Sequence, residues 1–459
     1  MNNLELDMKR LLMVCGIAVC ILLFGIFYMN EGQREEIYVA VDGSDGNNGS
    51  KTEPFRTLKK ASSVAVAGTT VYIREGVYKE KLVVQHDGEV FNEVIFKPYN
   101  KEMVILSGED IKSEEGDTSI VTLEDKSHIT IEGLIIKDLR TDLENETVMG
   151  ILVTGSGNHI TLKDNHVQQI ETHSKNGNGH GIAVYGTDSI KNMTIVNNIL
   201  ENLKLGASEA LVLNGNVSDF DISQNIVRSS DNIGIDLIGY EGVSSDERVD
   251  FVRNGVVSKN TIHNISTFDN PAYGKEYNAG GIYVDGGKNI KIEENIVYHS
   301  DIGIEATSEH KGKYAENIEI VNNKIYENFF TGISIGGYDE ERGGTRNSTI
   351  SQNLLYQNDT MGLGGGQLLI QHDAEFNAIE ENTFIAGPSR IFIANYFLTS
   401  NHNEMNQNLF HKDRGKEGVW IWEDEETTSF SDFKSVSESD EKSRYLDSGY
   451  THSKTFELN

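Results

Sequence analysis

The chain has 459 residues, with 45 Gly and only 4 Pro, and carries 71 acidic against 40 basic side chains for a formal charge of −31. That balance excludes a nucleic-acid binder, which needs a basic footprint on the phosphates, and weighs against unaided binding of a polyanionic glycan unless a divalent cation intervenes. Both cysteines, Cys15 and Cys20, lie in the first apolar run, so the remaining chain folds without disulfides.

Residues 11–29, LLMVCGIAVCILLFGIFYM, are 19 uncharged residues preceded by Lys9 and Arg10. The run is long enough to span a bilayer, and the basic pair predicts a cytoplasmic N-terminus. A signal peptide is the alternative, but no A-x-A-like site follows, so an uncleaved anchor is preferred. Val14 and Val19 precede the cysteines, which is a poor lipoprotein context. The predicted division is an anchor or signal peptide over 1–30, a spacer over 31–36, and a single extracytoplasmic domain over 37–459. That domain would be membrane-anchored, or secreted if the leader is cleaved.

The stretch 37–84 reads as a strand, a Gly/Asn/Ser loop, a helix of about ten residues from Thr57, a second strand and a turn. A helix laid across the first strands of a stacked fold would shield an open sheet edge.

Beyond the cap one phrase recurs nine times: an alternating apolar run, an Asn, then further apolar residues. The asparagines are Asn165, Asn198, Asn225, Asn260, Asn295, Asn323, Asn353, Asn382 and Asn408, separated by 33, 27, 35, 35, 28, 30, 29 and 26 residues. Self-similarity at a loose period of this size marks a solenoid, and the alternation of Ile and Val makes its units strands. A second phrase of Gly or Ala, apolar, x, apolar, x lies between them, as in HGIAVYG (180–186), EALVLNG (209–215), IGIDLIG (233–239), GGIYVDGG (280–287), IGIEATS (302–308) and TGISIGG (331–337). Short strands joined by Gly/Asn turns give coils of about 25 residues plus loop insertions, stacked roughly 4.8 Å apart. The fold predicted is all-β, a right-handed parallel β-helix solenoid with a short N-terminal capping helix. The repeated Asn suits an inward turn ladder. A β-propeller is the alternative, but no WD- or kelch-like signature is present, and no leucine-rich spacing occurs.

YVAVDGSDGNNGS, PFRTLKKA and AGTTVYIREGVY in the cap resemble the N-terminal cap of extracellular β-helix proteins of the pectate-lyase-like superfamily. FSDFKSVSESDEKS (430–443), within a C-terminal segment over 412–459, is similar to a segment of the same proteins. With the repeats, the resemblance covers 37–459. It implies the fold and a carbohydrate-active, extracellular setting, but the superfamily includes lyases, hydrolases, epimerases and adhesins.

Aligning the Gly–Ile phrases puts Ala183, Val212, Asp236, Tyr283, Glu305 and Ser334 in one outward column. Tyr185, Asn214, Ile238, Asp285, Thr307 and Gly336 form the next. Asp236, Tyr283 and Glu305 would then be neighbours on three coils. Two coil steps make roughly 9–10 Å between Asp236 and Glu305, and the Asp285–Glu305 diagonal is on the order of 8 Å. Long insertions rise around this patch at 240–254, 266–279, 308–316 and 338–345, which a regular solenoid does not need and binding loops explain. They bring Tyr240, Tyr273, Tyr277, His310, Lys311 and Arg342. Any one outward Asp is most simply a solvated surface group; the convergence singles out the cluster. His180 is expected in a turn.

Two chemistries suit this face. In a lyase, Ca²⁺ held by Asp231, Asp236, Asp285 and Glu305 would neutralise a substrate uronate while a base removes its C5 proton. SSDNIGIDL (229–237) partly resembles the calcium segment of family 9 pectate lyases, with Ile233 where the family has a further Asp. GIYVDGG carries Tyr283 where the family's base is Lys, leaving Tyr283 or Lys311 as candidates. In a hydrolase, Asp285, Glu305 and Asp236 would flank a glycosidic bond; inverting enzymes hold such pairs about 6.5–9.5 Å apart. Tyr240, Tyr277, His310 and Arg342 are the candidate substrate-binding residues. The leading expectation is a calcium-assisted polysaccharide lyase, then a hydrolase, then a non-catalytic glycan-binding rod, in each case a monomer.

Overall fold

The computed structural model describes residues 35–112, 116–412, 416–437 and 442–446. The expected anchor over 1–30 and the last residues of the C-terminal segment lie outside them. Among the described residues no helix is long and apolar enough to cross a membrane.

The chain winds into a right-handed parallel β-helix built on one 24-stranded and one 13-stranded sheet. Among the described strands every pairing is parallel except the hairpin of Val419–Trp422 with Glu425–Thr427. Parallel coils of this kind rule out the propeller, whose blades are antiparallel. The reason for the coil is visible in single stacks. Ile195, Ile222, Val257, Ile292, Ile320, Ile350, Ile379 and Met405 lie in register on successive coils, all essentially buried. Each apolar residue meets its equivalents above and below rather than a second layer.

The asparagine ladder forms as expected. Asn198 donates its backbone N–H and its Nδ2 to Asn225 Oδ1 at 2.9 and 3.0 Å, and Nδ2 also donates to the Leu162 carbonyl. The same pattern repeats through Asn260, Asn295, Asn323, Asn353 and Asn382 to Asn408. The residue before every ladder Asn has positive φ, between 56° and 57°, from Asp164 to Gln407. These positions hold Asp, Asn, Gln, Lys or Glu and never a β-branched side chain, as a left-handed turn requires.

The capping helix α1 (Leu58–Val64) is seven residues long rather than ten. The Thr57 side chain accepts from the Lys60 N–H at its start. It stops at Ala65, which is extended, as the chain turns into the strand at Thr70 through a Gly68 with φ +85°. Leu58, Ala61 and Ser62 are buried against the first coil. At the other end, helix α2 (Phe430–Ser437) presses Phe433 into an aromatic group with Trp420, Phe430 and Phe410, closing the last coil.

Candidate active site

Six strands of the larger sheet carry the face predicted for chemistry: β1 (Asn178–Val196), β2 (Leu211–Ser223), β3 (Ile235–Ile238), β4 (Gly280–Asp285), β5 (Ile302–Thr307) and β6 (Thr331–Ile335). Their pairing sets Ala183, Val212, Asp236, Tyr283, Glu305 and Ser334 side by side, the predicted column. In the second column Asp285 pairs with Thr307, but the run breaks at Ile238, which bridges to Gly286 as the chain leaves the sheet.

Exposure departs from expectation. Asp236, Tyr283, Asp285 and Glu305 are 2%, 5%, 4% and 7% exposed, so the column is buried rather than solvated. The insertions fold over it. Asp285 Oδ1 accepts the Glu309 N–H at 2.6 Å, pinning the 308–316 loop, and Gly343 donates to the Ser308 carbonyl. The Tyr240 ring packs on Gly286, whose φ is +74°; a Cβ there would meet the ring at 2.8 Å.

Burial in an acidic neighbourhood controls protonation here. Asp236 is raised well above an ordinary Asp by burial first and then by Glu209, Asp285 and Glu309. Asp285 rises likewise through burial, Glu309, Glu241 and Glu305, opposed by the Glu309 N–H. Burial and Glu309 push Glu305 up to about 8, against a hydrogen bond from the Ser334 hydroxyl. Glu209 also reaches about 8 through burial, Glu309 and Glu241. Tyr283 is raised further above its usual value by burial and the surrounding carboxyls. Glu309 is exposed at the rim. Its carboxyl is nonetheless raised above the ordinary value, by burial first and also by Glu241, against Arg342, His310 and the Tyr283 hydroxyl, which favour its charged form.

Sequence reasoning missed Glu209, Glu309 and His180. Glu209 stands at the head of the EALVLNG phrase and Glu309 just past IGIEATS, beyond the positions that strand alternation assigns. His180 is not a turn residue: it lies inside β1, buried. Its Nδ1 donates to the Glu209 carbonyl at 3.0 Å and its Nε2 accepts from the Tyr185 hydroxyl at 2.8 Å. Burial lowers it to about 4, so the imidazole is neutral. Hydrogen bonds thus link Tyr185 through His180 to the Glu209 backbone, and the Glu209 carboxyl group acts electrostatically on Asp236.

Other predicted residues stand apart. Lys311 is exposed and pairs with Glu341 at 3.2 Å. Tyr277 stacks on Phe268 at 4.9 Å and meets Phe329; Tyr273, from the same loop, is the tyrosine that faces Glu209, Glu309 and Asp236. His310 pairs with Glu241 at 2.9 Å, Tyr240 is bonded to Lys288, and Arg342 stacks over Tyr338. Asp231 turns away from the face: its Oδ1 accepts from the Leu205 N–H at 2.6 Å, and Lys204 and Glu171 are its charged neighbours. The four expected calcium ligands are therefore not assembled. Among the described residues no group of three or more His, Cys, Asp or Glu is arranged to hold a metal ion.

A family model described as the Pel9A-like right-handed β-helix region matches residues 37–203. The uncharacterized protein YwoF of Bacillus subtilis (strain 168) is 49% identical over 417 residues, 91% of this chain and 89% of that one. The chain belongs to the same family as YwoF, with the Pel9A-like β-helix region matched over 37–203. Among solved structures, the lacto-N-biosidase of family GH136 from Eubacterium ramulus aligns with a TM-score of 0.53 at 12% identity, over 94% of this chain and 71% of that one. The mannuronan C-5 epimerase AlgE4 A-module of Azotobacter vinelandii aligns with a TM-score of 0.52 at 14% identity, over 81% and 95%. At such identities these likenesses speak to the Pel9A-like fold alone.

Proposed function

We propose that the Asp236–Tyr283–Glu305 face is the active site of an extracytoplasmic glycoside hydrolase acting on a polysaccharide. The supporting observation is a pair of neighbouring carboxyl groups, both raised by burial, of which only one has partners that favour its charge. Glu305 is buried without a basic partner and is pushed up to about 8, which favours its protonated form, whereas Glu309, also raised, has Arg342, His310 and the Tyr283 hydroxyl favouring its charge. Carboxyl groups set apart in this way are the acid and base of glycosidic cleavage. Glu309 removes a proton from water, the water oxygen attacks C1, and the C1–O bond breaks. Glu305 gives its proton to the leaving oxygen, and both groups exchange protons with solvent afterwards. Tyr283, whose proton is held tightly, orients Glu309.

The reading favours hydrolysis over β-elimination because Lys311, a candidate base, pairs with Glu341, and Asp231 is bonded to the Leu205 N–H apart from the other carboxyl groups. The assay applies the full-length protein to neutral, amino and uronate polysaccharides, with calcium and with chelator. It follows reducing ends together with the ultraviolet absorbance of an unsaturated uronate. New reducing ends without absorbance, lost in both Glu305→Gln and Glu309→Gln, are expected. Absorbance rising with the reducing ends makes the enzyme a lyase, and cleavage of nothing removes the enzyme reading.

A further inference from the structure

The buried carboxyl groups of this face lack positive partners. Among the described ion pairs, Asp236, Asp285 and Glu305 have none, and Glu209 faces only the neutral His180, 3.6 Å from its Oε2. Elsewhere the chain pairs its half-buried acids: Glu201 with Arg228, Glu316 with Lys288 and Arg346. The bases nearest the face are engaged at its rim, Lys311 with Glu341 and Arg342 with Tyr338. Two acceptors are also idle. Asp236 Oδ1 and Asn214 Oδ1 are buried without any hydrogen-bond partner, and their residues are only 2% and 7% exposed. Asn214 is two positions beyond Val212, the partner of Asp236, so the two are diagonal neighbours on one face. Idle buried acceptors are costly in a folded protein and are expected where a donor arrives with a ligand.

We infer that this face recognises a sugar carrying a free amino group, whose ammonium lodges against Asp236 and Asn214 with Glu209 and Asp285 around it. The inference rests on the hydrolase reading for the polymer and names its sugar class. An ammonium brings three N–H donors and one positive charge, matching the idle oxygens and the unpaired acids. A uronate brings a carboxylate to a face whose buried acids pair with no Arg or Lys among the described residues, and an N-acetylated sugar brings one donor and no charge. Since burial raises the carboxyl groups of this face above their ordinary values, an ammonium that draws one toward its ionised form releases a proton.

Calorimetry on the full-length protein compares glucosamine, N-acetylglucosamine and galacturonate oligomers of equal length, in two buffers of different ionisation heat at pH 7. The expected result is binding of the free-amine oligomer about tenfold or more tighter than the acetylated one. Proton release should accompany only the former, and Asp236→Asn, checked for its fold by circular dichroism, should erase the preference. Equal affinity for acetylated and free-amine oligomers, or tighter binding of galacturonate, overturns the inference without reference to any variant. So does calcium that binds the protein and displaces the amine. Cleavage of a neutral glycan without amine preference defeats this inference and spares the hydrolase reading; amine-dependent binding without cleavage does the reverse.

Discussion

Glu305 ties function to stability through one proton. Its carboxyl group sits near 8 in the fold against an ordinary value of 4.5, so between those values the folded state keeps a proton that the unfolded chain releases. Stability from this group is complete below 4.5 and is lost as pH rises through 8. Glu305→Gln keeps the shape and removes the titration. It should lower kcat by about 10²–10⁴, the usual worth of a general acid. It should also be more stable than the parent at pH 8, by on the order of a few kcal/mol, and so unfold at a higher temperature, with the gap closing toward pH 4.5. Melting curves of both proteins across that range check it; a parallel offset at every pH denies the buried proton. In the parent, activity should fall as pH rises through about 8, when Glu305 loses its proton, and fall again toward acid as Glu309 gains one. The strand period placed Asp236, Tyr283, Asp285 and Glu305 correctly from sequence, since alternation and the repeated Gly–Ile phrase specify which side chains share a face. Glu209, Glu309 and His180 were not legible by that route. The first two lie past the strand ends, and the third looks like turn sequence until its partner Glu209 is in place.

At the scale of elements, the asparagine ladder holds the coils together where the strands bend. Asn260 Oδ1 accepts from the Asn225 N–H and Nδ2, while its own Nδ2 donates to the Ile222 carbonyl and Asn295 Oδ1. Asn260→Ala orphans these buried partners together, at about 1–3 kcal/mol for each group left unpaired. A loss of at least about 3 kcal/mol in urea unfolding is expected. Asn289→Ala removes an exposed rung to Asn254 and should cost less than about 1 kcal/mol. Equal effects would mean that the ladder is ornament on a fold carried by its aliphatic stacks. The loops behave differently from the coils. Their insertion points were legible, because a period of this regularity makes any excess visible. Where they fold was not, since that depends on contacts such as Glu309 N–H to Asp285 and Tyr240 on Gly286, which join residues far apart in sequence. Tyr273 and Tyr277, four residues apart, go to different surroundings for this reason.

For the whole molecule, a formal charge of −31 makes self-repulsion a standing cost. Raising NaCl from about 0.01 to 0.15 M shortens the screening length from about 30 to 8 Å, so the melting temperature of the full-length protein should rise with salt at neutral pH. The increment should shrink at pH 5, where many carboxyl groups are protonated; a fall with salt would mean that attractive ion pairs outweigh the repulsion. The solenoid itself, its period, its capping helix and its turn asparagines follow from sequence alone, because each repeat makes the same short-range contacts with its neighbours and prints them at a regular spacing. Only the tertiary structure decided that the acidic column is buried, that Asp231 leaves it, and that Glu209 and Glu309 join it. Those outcomes depend on how unlike loops pack over a regular face, and burial there, rather than residue type, sets which carboxyl groups keep their protons.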